Sequence, residues 1–366
     1  MRLARILAAD WSAFALALFL MLALAIGSGI VGTLAFDAPA LAQRALDQTA
    51  DTLGAGSKSD DWRQIRQGVQ GTVSIPNKQA GVLIQSEGEN WRAARNGPLS
   101  SWGAWLLLGV IAVLALFFAL RGRIKLQSGW SGLVIERFNA IERFTHWLTA
   151  VSFVILALSG LNMLYGRYVL RPIIGATAFS WLTWLGKLAH NYLAFAFMIG
   201  IVLMFVLWLR ENIPNRYDWQ WIKRAGGFFS KHDHPPAEKF NAGQKLVFWL
   251  VILGGVSVSL SGLALLFPFN FAWFSHTFAF LNIFGLGLPT DLTPLQDTQL
   301  SQIWHAIMGL LMIALIIGHI YIGTIGMEGA FDAMGTGKVD RNWAEEHHQL
   351  WVAEMERRSP ASGDDD

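Results

Sequence analysis

Two histidines lie on a single long apolar stretch, residues 300–325, and this feature constrains the fold most. The stretch reads LSQIWHAIMGLLMIALIIGHIYIGTI and is long enough to cross a bilayer as a helix. On a helix, His305 and His319 lie within about 40° of each other and roughly 21 Å apart along the axis. Because imidazoles in hydrocarbon are costly and usually functional, we expect one functional histidine near each side of a membrane.

The composition indicates a membrane protein. Of 366 residues, 53% are apolar and only 15% are charged, whereas soluble domains carry about 25% charged residues. The chain has no cysteine, which excludes protein-ligated iron–sulfur clusters, thioether-linked haem and disulfides. Histidine is then the main candidate for iron ligation. The net charge of +2 and the lack of a basic run give no sign of nucleic-acid binding.

The N-terminal residues 1–42 predict a secretory signal peptide. Arg2 and Arg5 precede a long apolar run that ends at an A-x-A site, Ala40 to Ala42. We expect cleavage after Ala42, with an uncleaved anchor as the alternative. Residues 43–100 are polar and rich in glycine, and they predict a small periplasmic region with a short β-hairpin that docks a partner.

Five further apolar spans and their loops predict the topology. The loop 210–245 carries seven Lys or Arg, whereas the loop 268–301 carries none, so the first is expected in the cytoplasm and the second outside. The C-terminal tail, 326–366, is basic and should be cytoplasmic. The predicted spans are 102–120, 144–165, 187–209, 245–267 and 302–325. The predicted division is a transmembrane helix at 101–121, a cytoplasmic loop at 122–143, a four-helix domain at 144–325 and the tail.

Four of the nine histidines fall in predicted spans, and the topology gives each of them a depth. His146 and His319 belong at the cytoplasmic level, and His190 and His305 at the outer level. Each pair draws on two helices, as a cofactor site in a bundle core does. Two imidazoles on opposite faces of a haem leave no open position, which suits electron transfer. The histidines at 232, 234, 347 and 348 are weak metal candidates, and His276 is expected at the surface.

Five glycines in these spans would let a flat macrocycle approach a helix backbone, although small residues are also ordinary in membrane helix packing. They are Gly160, Gly200, Gly262, Gly309 and Gly323.

The motifs RFTHW, KLAHNYLAF, KFNAGQKLVFW, IWHAIMG, GHIYIG and GKVDRNWAEEHHQLW occur in order between residues 143 and 351. With them, residues 133–355 resemble the cytochrome b, or gamma, subunit of membrane-bound respiratory formate dehydrogenase, in a long form with an N-terminal extension. The resemblance implies an all-α integral membrane protein. Its core would be a four-helix transmembrane di-haem cytochrome b bundle, with one extra transmembrane helix and the small extracytoplasmic region. It also implies two b haems, ligated at His146, His190, His305 and His319.

The resemblance further implies a pocket for menaquinone or ubiquinone beside the cytoplasmic haem. Family residues there match Asn241 and Gly243, with Gln244 and Lys245 adjacent. An amide donor can hydrogen-bond a quinone carbonyl at this depth. The alternative is an N-cap at Asn241 and interfacial anchoring by Lys245.

The expected function is therefore that of a membrane electron-transfer subunit in the bacterial inner membrane. A molybdenum or tungsten subunit and an iron–sulfur subunit would oxidise formate outside, and electrons would cross two haems to quinone. The chain alone has no nucleophile, acid–base dyad or nucleotide motif for that oxidation. The alternatives are a cytochrome b of a nickel–iron hydrogenase or another reductase, a histidine-lined transporter, or a haemless anchor. The four central spans contain no Asp or Glu, which disfavours a transporter.

Overall fold

The structure is a computed structural model that describes residues 87–228 and 233–358. These residues belong to one compact unit that begins at Glu87. The predicted leader and the predicted β-hairpin lie outside the described residues.

Five helices in the described part are long and apolar enough to cross a membrane. The first span, Trp91–Arg121, begins within α1 (Glu87–Ala94) and continues through a π-helical turn (Arg95–Leu99) to the end of α2 (Ser100–Arg121). The others are α3 (Ala140–Val169), α4 (Arg171–Trp208), α6 (Ala242–Leu266) and α8 (Pro294–Tyr321), the last continuing as a π-helical turn (Ile322–Gly326). The prediction of an all-α membrane protein is confirmed.

The smaller elements occupy the connections. They are β1 (Val134–Glu136), α5 (Arg216–Lys223), α7 (Trp273–Asn282), α9 (Asp332–Gly335), β2 (Lys338–Asp340) and α10 (Arg341–Arg358). The strands β1 and β2 pair antiparallel, with Ile135 opposite Val339. We call the end of the bundle formed by residues 122–143, 209–228, 233–245 and 326–358 the sheet end. The opposite end, residues 166–186 and 267–300, is the far end.

Capping boxes fix where several helices begin. In each box a side-chain oxygen of the cap accepts from the backbone three residues on, and that residue's side chain accepts from the cap's backbone N–H. The helices α3, α5, α6 and α8 begin in this way at Asn139, Asn215, Asn241 and Thr293. Asn139 precedes the helix that carries His146, and Asn241 precedes the turn that carries Gln244 and Lys245.

The connection between α3 and α4 is shorter than the sequence indicates. The predicted spans 144–165 and 187–209 leave residues 166–186 as a loop, yet most of these residues are helical, and the chain breaks only near Leu170 and at Gly175. Gly175 has φ of +79°, a conformation that glycine adopts without steric cost. Pro172 lies in the first turn of α4, where a missing N–H costs nothing.

Two helix hairpins form the bundle. The most extensive contacts join α3 to α4 and α6 to α8, while α2 packs on α8 and α4 on α6. Glycines permit close approach: a Cβ added at Gly200 would collide with Thr149, and one at Gly254 with Met312. A buried apolar cluster extends from the bundle to the sheet end and includes Phe138, Trp208, Phe240, Phe248, Trp343 and Trp351.

Candidate functional site

The four span histidines meet in two pairs inside the bundle. The ring centroids of His146 on α3 and His319 on α8 are 6.2 Å apart, with an interplanar angle of 55°. The ring centroids of His190 on α4 and His305 on α8 are 6.1 Å apart, at 66°. Both members contributed by α8 lie on one uninterrupted helix, as the spacing required. The structure thus brings the histidines together in the expected combinations.

These separations fit one iron between each pair of rings. An imidazole nitrogen binds a metal at about 2.0 Å, and the ring centre lies about 1.1 Å further, so two opposed ligands place their centroids about 6.2 Å apart. Opposed axial histidines are a common way to hold haem iron. Both pairs therefore have a spacing that fits haem.

Two serines hold the histidines of the far-end pair. Ser159 Oγ lies 2.8 Å from His190 Nδ1, and Ser261 Oγ lies 3.0 Å from His305 Nδ1. His305 Nδ1 also lies 3.0 Å from the carbonyl oxygen of Val258. A carbonyl can only accept, so Nδ1 of His305 carries the proton and its Nε2 keeps a lone pair for a metal.

The serine hydroxyls donate their own protons to their helices. Ser159 Oγ donates to the carbonyl of Ile155 at 2.8 Å or of Leu156 at 3.0 Å, and Ser261 donates in the same way to Ser257 at 3.0 Å or Val258 at 3.1 Å. Each oxygen is then free to accept from a histidine N–H. The sequence carries a signal for this arrangement that the spacing of the histidines alone does not reveal: LSGL occurs at both 158–161 and 260–263.

The predicted glycines divide into three kinds. A Cβ at Gly160 would lie 3.6 Å from His190 Cε1, and one at Gly262 would lie 3.2 Å from His305 Cε1. Gly309 and Gly323 face open space, with no atom within 4 Å of an added Cβ. Gly200 packs against Thr149 and serves helix packing. Two of the five, Gly160 and Gly262, therefore lie directly against a histidine ring of the far-end pair.

The pair nearer the sheet end has a different setting. His146 Nδ1 is buried and has no hydrogen-bond partner among the described residues. Neither ring nitrogen of His319 has a protein partner in the described part of the chain. The ring of His146 instead contacts Trp147 edge-on, at 5.2 Å between centroids. The two pairs thus share their spacing and differ in hydrogen bonding.

The candidate quinone residues surround the first turn of α6. Asn241 Oδ1 accepts from Gln244 N at 2.9 Å, and Gln244 Oε1 accepts from Asn241 N at 3.0 Å. Asn241 is therefore an N-cap, as the alternative interpretation held. Its Nδ2 donates to no described residue, and Asn241 is one of the residues that line a pocket. A Cβ added at Gly243 would lie 2.7 Å from the ring of Trp221. The pocket is lined by Arg121, Lys125, Trp221, His234, Asn241 and His347, among others.

Lys245 is buried, with 3% of its surface exposed, and does not anchor the helix at an interface. Its Nζ lies 3.1 Å from Asp218 and 3.5 Å from Glu238, and it donates to the carbonyl of Ile213 at 3.3 Å. The sequence does not reveal these ion pairs, because Asp218 belongs to α5 and Glu238 belongs to the loop that precedes α6.

A buried arginine ties α10 to the sheet end. Arg137 Nη2 donates to the carbonyl of Lys239 at 2.6 Å and to His348 Nε2 at 2.9 Å. His348 Nδ1 donates to the carbonyl of Glu238 at 2.6 Å, so both ring nitrogens of His348 are engaged. Burial lowers the pKa of Arg137 to about 9, and burial and Arg137 hold the pKa of His348 well below 6.5. Among the described residues no group of three or more metal-binding side chains exists, and position 232 lies outside them.

An all-helical membrane bundle that opposes histidines at axial-ligand spacing has the architecture of a membrane cytochrome b. The family model of the prokaryotic cytochrome b561 proteins matches residues 137–337, and the chain belongs to this family.

Curated relatives agree with this assignment. The chain is 27% identical over 232 residues to the cytochrome b556(Fdn) subunit of the nitrate-inducible formate dehydrogenase of Escherichia coli K12, covering 61% of this chain and 93% of the relative. It is also 27% identical over 224 residues to the cytochrome b556(fdo) subunit from the same strain, covering 61% and 94%. The cytochrome b556 subunit from Haemophilus influenzae is 22% identical over 223 residues, covering 60% and 83%. Nearly all of the first two relatives is matched, and this chain is longer.

Proposed function

We propose that this protein is the membrane electron-transfer subunit of a formate dehydrogenase, carrying electrons from an iron–sulfur subunit through two b haems to quinone. The observation that carries the proposal is the pair of opposed histidine sites in a chain whose curated relatives are formate dehydrogenase cytochrome b556 subunits. The chain supplies haem sites and a path across the membrane, and a separate subunit oxidises formate.

His146 and His319 would hold one haem, and His190 and His305 the other. The haem supplies a one-electron carrier when bound. The two histidines of each site would hold and orient the haem and would keep substrate and water off its iron. Two sites spaced roughly 21 Å along α8 would carry charge across most of the hydrocarbon core.

Quinone would bind at the sheet end beside the His146/His319 pair. Nδ2 of Asn241, which donates to no described residue, would supply an amide donor for a quinone carbonyl, and Gly243 lets the ring of Trp221 pack closely against this turn. Gln244 acts through the cap of Asn241, and Lys245 acts through its buried ion pairs, so both position this turn. Reduction of a quinone takes two electrons and two protons, and His234 and His347 line the same pocket.

The charge distribution supports a sheet end in the cytoplasm and a far end outside, in the bacterial inner membrane. Formate oxidation outside yields carbon dioxide, one proton and two electrons. The electrons would enter at the His190/His305 site and reach quinone, which takes up two protons from the cytoplasm. Charge would thus be separated across the membrane. The leader at 1–42, the periplasmic region at 43–100 as a partner-docking segment, and the cytoplasmic tail belong to the same proposal.

The test is a reduced-minus-oxidised spectrum of the purified membrane complex, with formate as reductant, together with a pyridine haemochrome count. We expect about two b haems per chain, reduced by formate and reoxidised by added quinone. Two haems that formate does not reduce, or a nickel–iron partner in the complex, would contradict the formate assignment. A chain without haem would contradict the histidine sites and favour a transporter.

A further inference from the structure

The two histidine pairs differ in what their Nδ1 atoms contact, although their centroid spacings agree within 0.1 Å. At the far end, Nδ1 of His190 and Nδ1 of His305 each lie within 3.0 Å of a serine oxygen. For His305 a backbone carbonyl adds to this, since its Nδ1 also lies 3.0 Å from the carbonyl oxygen of Val258. At the other pair, His146 Nδ1 is buried and has no acceptor among the described residues.

This difference has a direct consequence for a bound iron. An acceptor on Nδ1–H draws the proton away from the ring, which makes Nε2 a stronger electron donor to a metal. A stronger donor stabilises ferric over ferrous iron and lowers the reduction potential. Hydrogen bonds around a ligand are thus one of the levers by which a protein tunes a haem.

We propose that Ser159 and Ser261 are positioning residues that fix the donor face of His190 and His305 and give the far-end haem the lower potential of the two. The proposal rests on haem ligation by the two pairs, not on the formate assignment. The lower potential at the far end favours electron transfer toward the His146/His319 site. The direction of electron transfer would then depend on the hydrogen bonds that Ser159 on α3 and Ser261 on α6 accept from the histidines.

The duplication of the arrangement supports the proposal. On each helix the serine donates to its own helix and accepts from a histidine of the neighbouring helix, and the next residue is a glycine that faces the same ring. The ordinary use of serine in an apolar helix is a bond to its own i−4 carbonyl and nothing more. Ser152 on α3 and Ser259 on α6 are of that kind, since within the described residues they bond only to Leu148, Thr149 and Gly255.

Ser152 and Ser259 provide a matched control for Ser159 and Ser261. Ser159→Ala/Ser261→Ala removes hydroxyls that contact histidines, and Ser152→Ala/Ser259→Ala removes two hydroxyls from the same helices that do not. Both double variants are purified as the full complex and titrated potentiometrically, following the haem absorbance. We expect one of the two midpoints to shift positive in Ser159→Ala/Ser261→Ala, with the other unchanged, and neither to shift in the control.

The shifted wave is assigned with His190→Ala, which should lack the far-end haem. The low-temperature electron paramagnetic resonance signal of that haem should change as well, because it reports axial ligand field. The single variant Ser261→Ala keeps the Val258 carbonyl as an acceptor, so it should bind both haems and show a smaller shift in the same direction.

Unchanged midpoints in a fully haem-loaded double variant would overturn the proposal, and so would equal shifts of both waves. A far-end haem with the higher potential in the unaltered complex would also overturn it. If the unaltered complex holds no haem, the proposed function itself fails, which is a distinct result. If the double variant does not bind haem, the single variants decide by the same criteria.

Discussion

The two ends of the bundle hold the same kind of ligand pair by different means. At the far end the histidines are fixed inside the apolar bundle by neutral groups, two serine hydroxyls and a backbone carbonyl. At the sheet end the polar groups lie beyond the histidines, where Lys245 and Arg137 are buried with their partners. Under the proposed function, the far end would therefore set the properties of a haem, and the sheet end would set the environment where quinone and protons meet.

The largest expected effect is the loss of one haem when a far-end ligand is removed. His305→Ala would remove one of the two proposed ligands of the far-end haem, and we expect about half the haem per chain to remain. A pyridine haemochrome assay on the purified complex measures this. His276→Ala, which removes an exposed histidine near the same end, should keep both haems. Full haem content in His305→Ala would show that the far-end pair is not a ligand pair.

The next effect concerns the sheet end, where stability depends on buried charge. Lys245→Met removes the cation that faces Asp218 and Glu238, and loss of one partner of a buried pair costs about 3–5 kcal/mol. We expect a clear fall in the thermal midpoint of the purified protein, with the far-end haem midpoint unchanged. Lys338→Ala, at an exposed position in β2, should have little effect. If the thermal midpoint changed by the same amount in both variants, Lys245 would contribute no more to stability than the exposed Lys338 does.

A smaller effect is expected from pH at the sheet end. Burial lowers the pKa of His347 to about 4. The carboxylate of Glu346 opposes this shift, and His234 and Arg137 lower the pKa further. A histidine held neutral contributes stability that is fully present above its ordinary pKa near 6.5 and is lost as pH falls through about 4. The contribution amounts to at most about 3 kcal/mol.

Thermal midpoints measured between pH 7.5 and 4.5 test this. His347→Gln should flatten the decline that the unaltered protein shows below pH 6.5, because Gln does not take up a proton. The exposed His276→Gln provides the control and should leave the slope as it was. A slope that does not depend on His347 would assign the acid sensitivity to other groups.

Some features of the two ends could be predicted from the sequence, and others could not. The pairing of the four histidines could be predicted because helix periodicity and the charge of the loops fix depth without any packing information. The far-end serines were missed because a serine in an apolar helix has the same sequence signal whether it bonds its own carbonyl or a histidine on the next helix. The helix at 176–186 was missed because a glycine can either break a helix or bend it.

The burial of Lys245 could not be predicted for a different reason. Its partners Asp218 and Glu238 lie on a short helix and on a loop whose positions depend on tertiary packing, and a lysine at the start of an apolar span ordinarily marks an interface. Similarly, His348 was weighed as a metal ligand, yet both of its nitrogens are engaged by Arg137 and Glu238. The roles of these polar residues at the sheet end therefore depend on partners that are distant in sequence.

The smallest change in the molecule gives the sharpest test of the sheet end as a quinone site. Asn241→Asp keeps an oxygen that caps α6, because Asp and Asn are equally good N-caps, but it removes the side-chain amide donor of a residue that lines the pocket. Loss of one hydrogen bond to a ligand corresponds to about tenfold in affinity. We therefore expect quinone reduction by formate to weaken about tenfold, with haem reduction by formate and thermal stability unchanged.

Asn139→Asp is the matched control, since Asn139 caps α3 by the same capping box at the same end of the bundle and does not line the pocket. A carboxylate at this position changes the local charge in the same way without removing a donor from the proposed site. Equal loss of quinone reduction in the two variants would assign the effect to charge. Full quinone reduction in Asn241→Asp would reduce Asn241 to a helix cap, and the difference between the two ends would then rest on the haem sites alone.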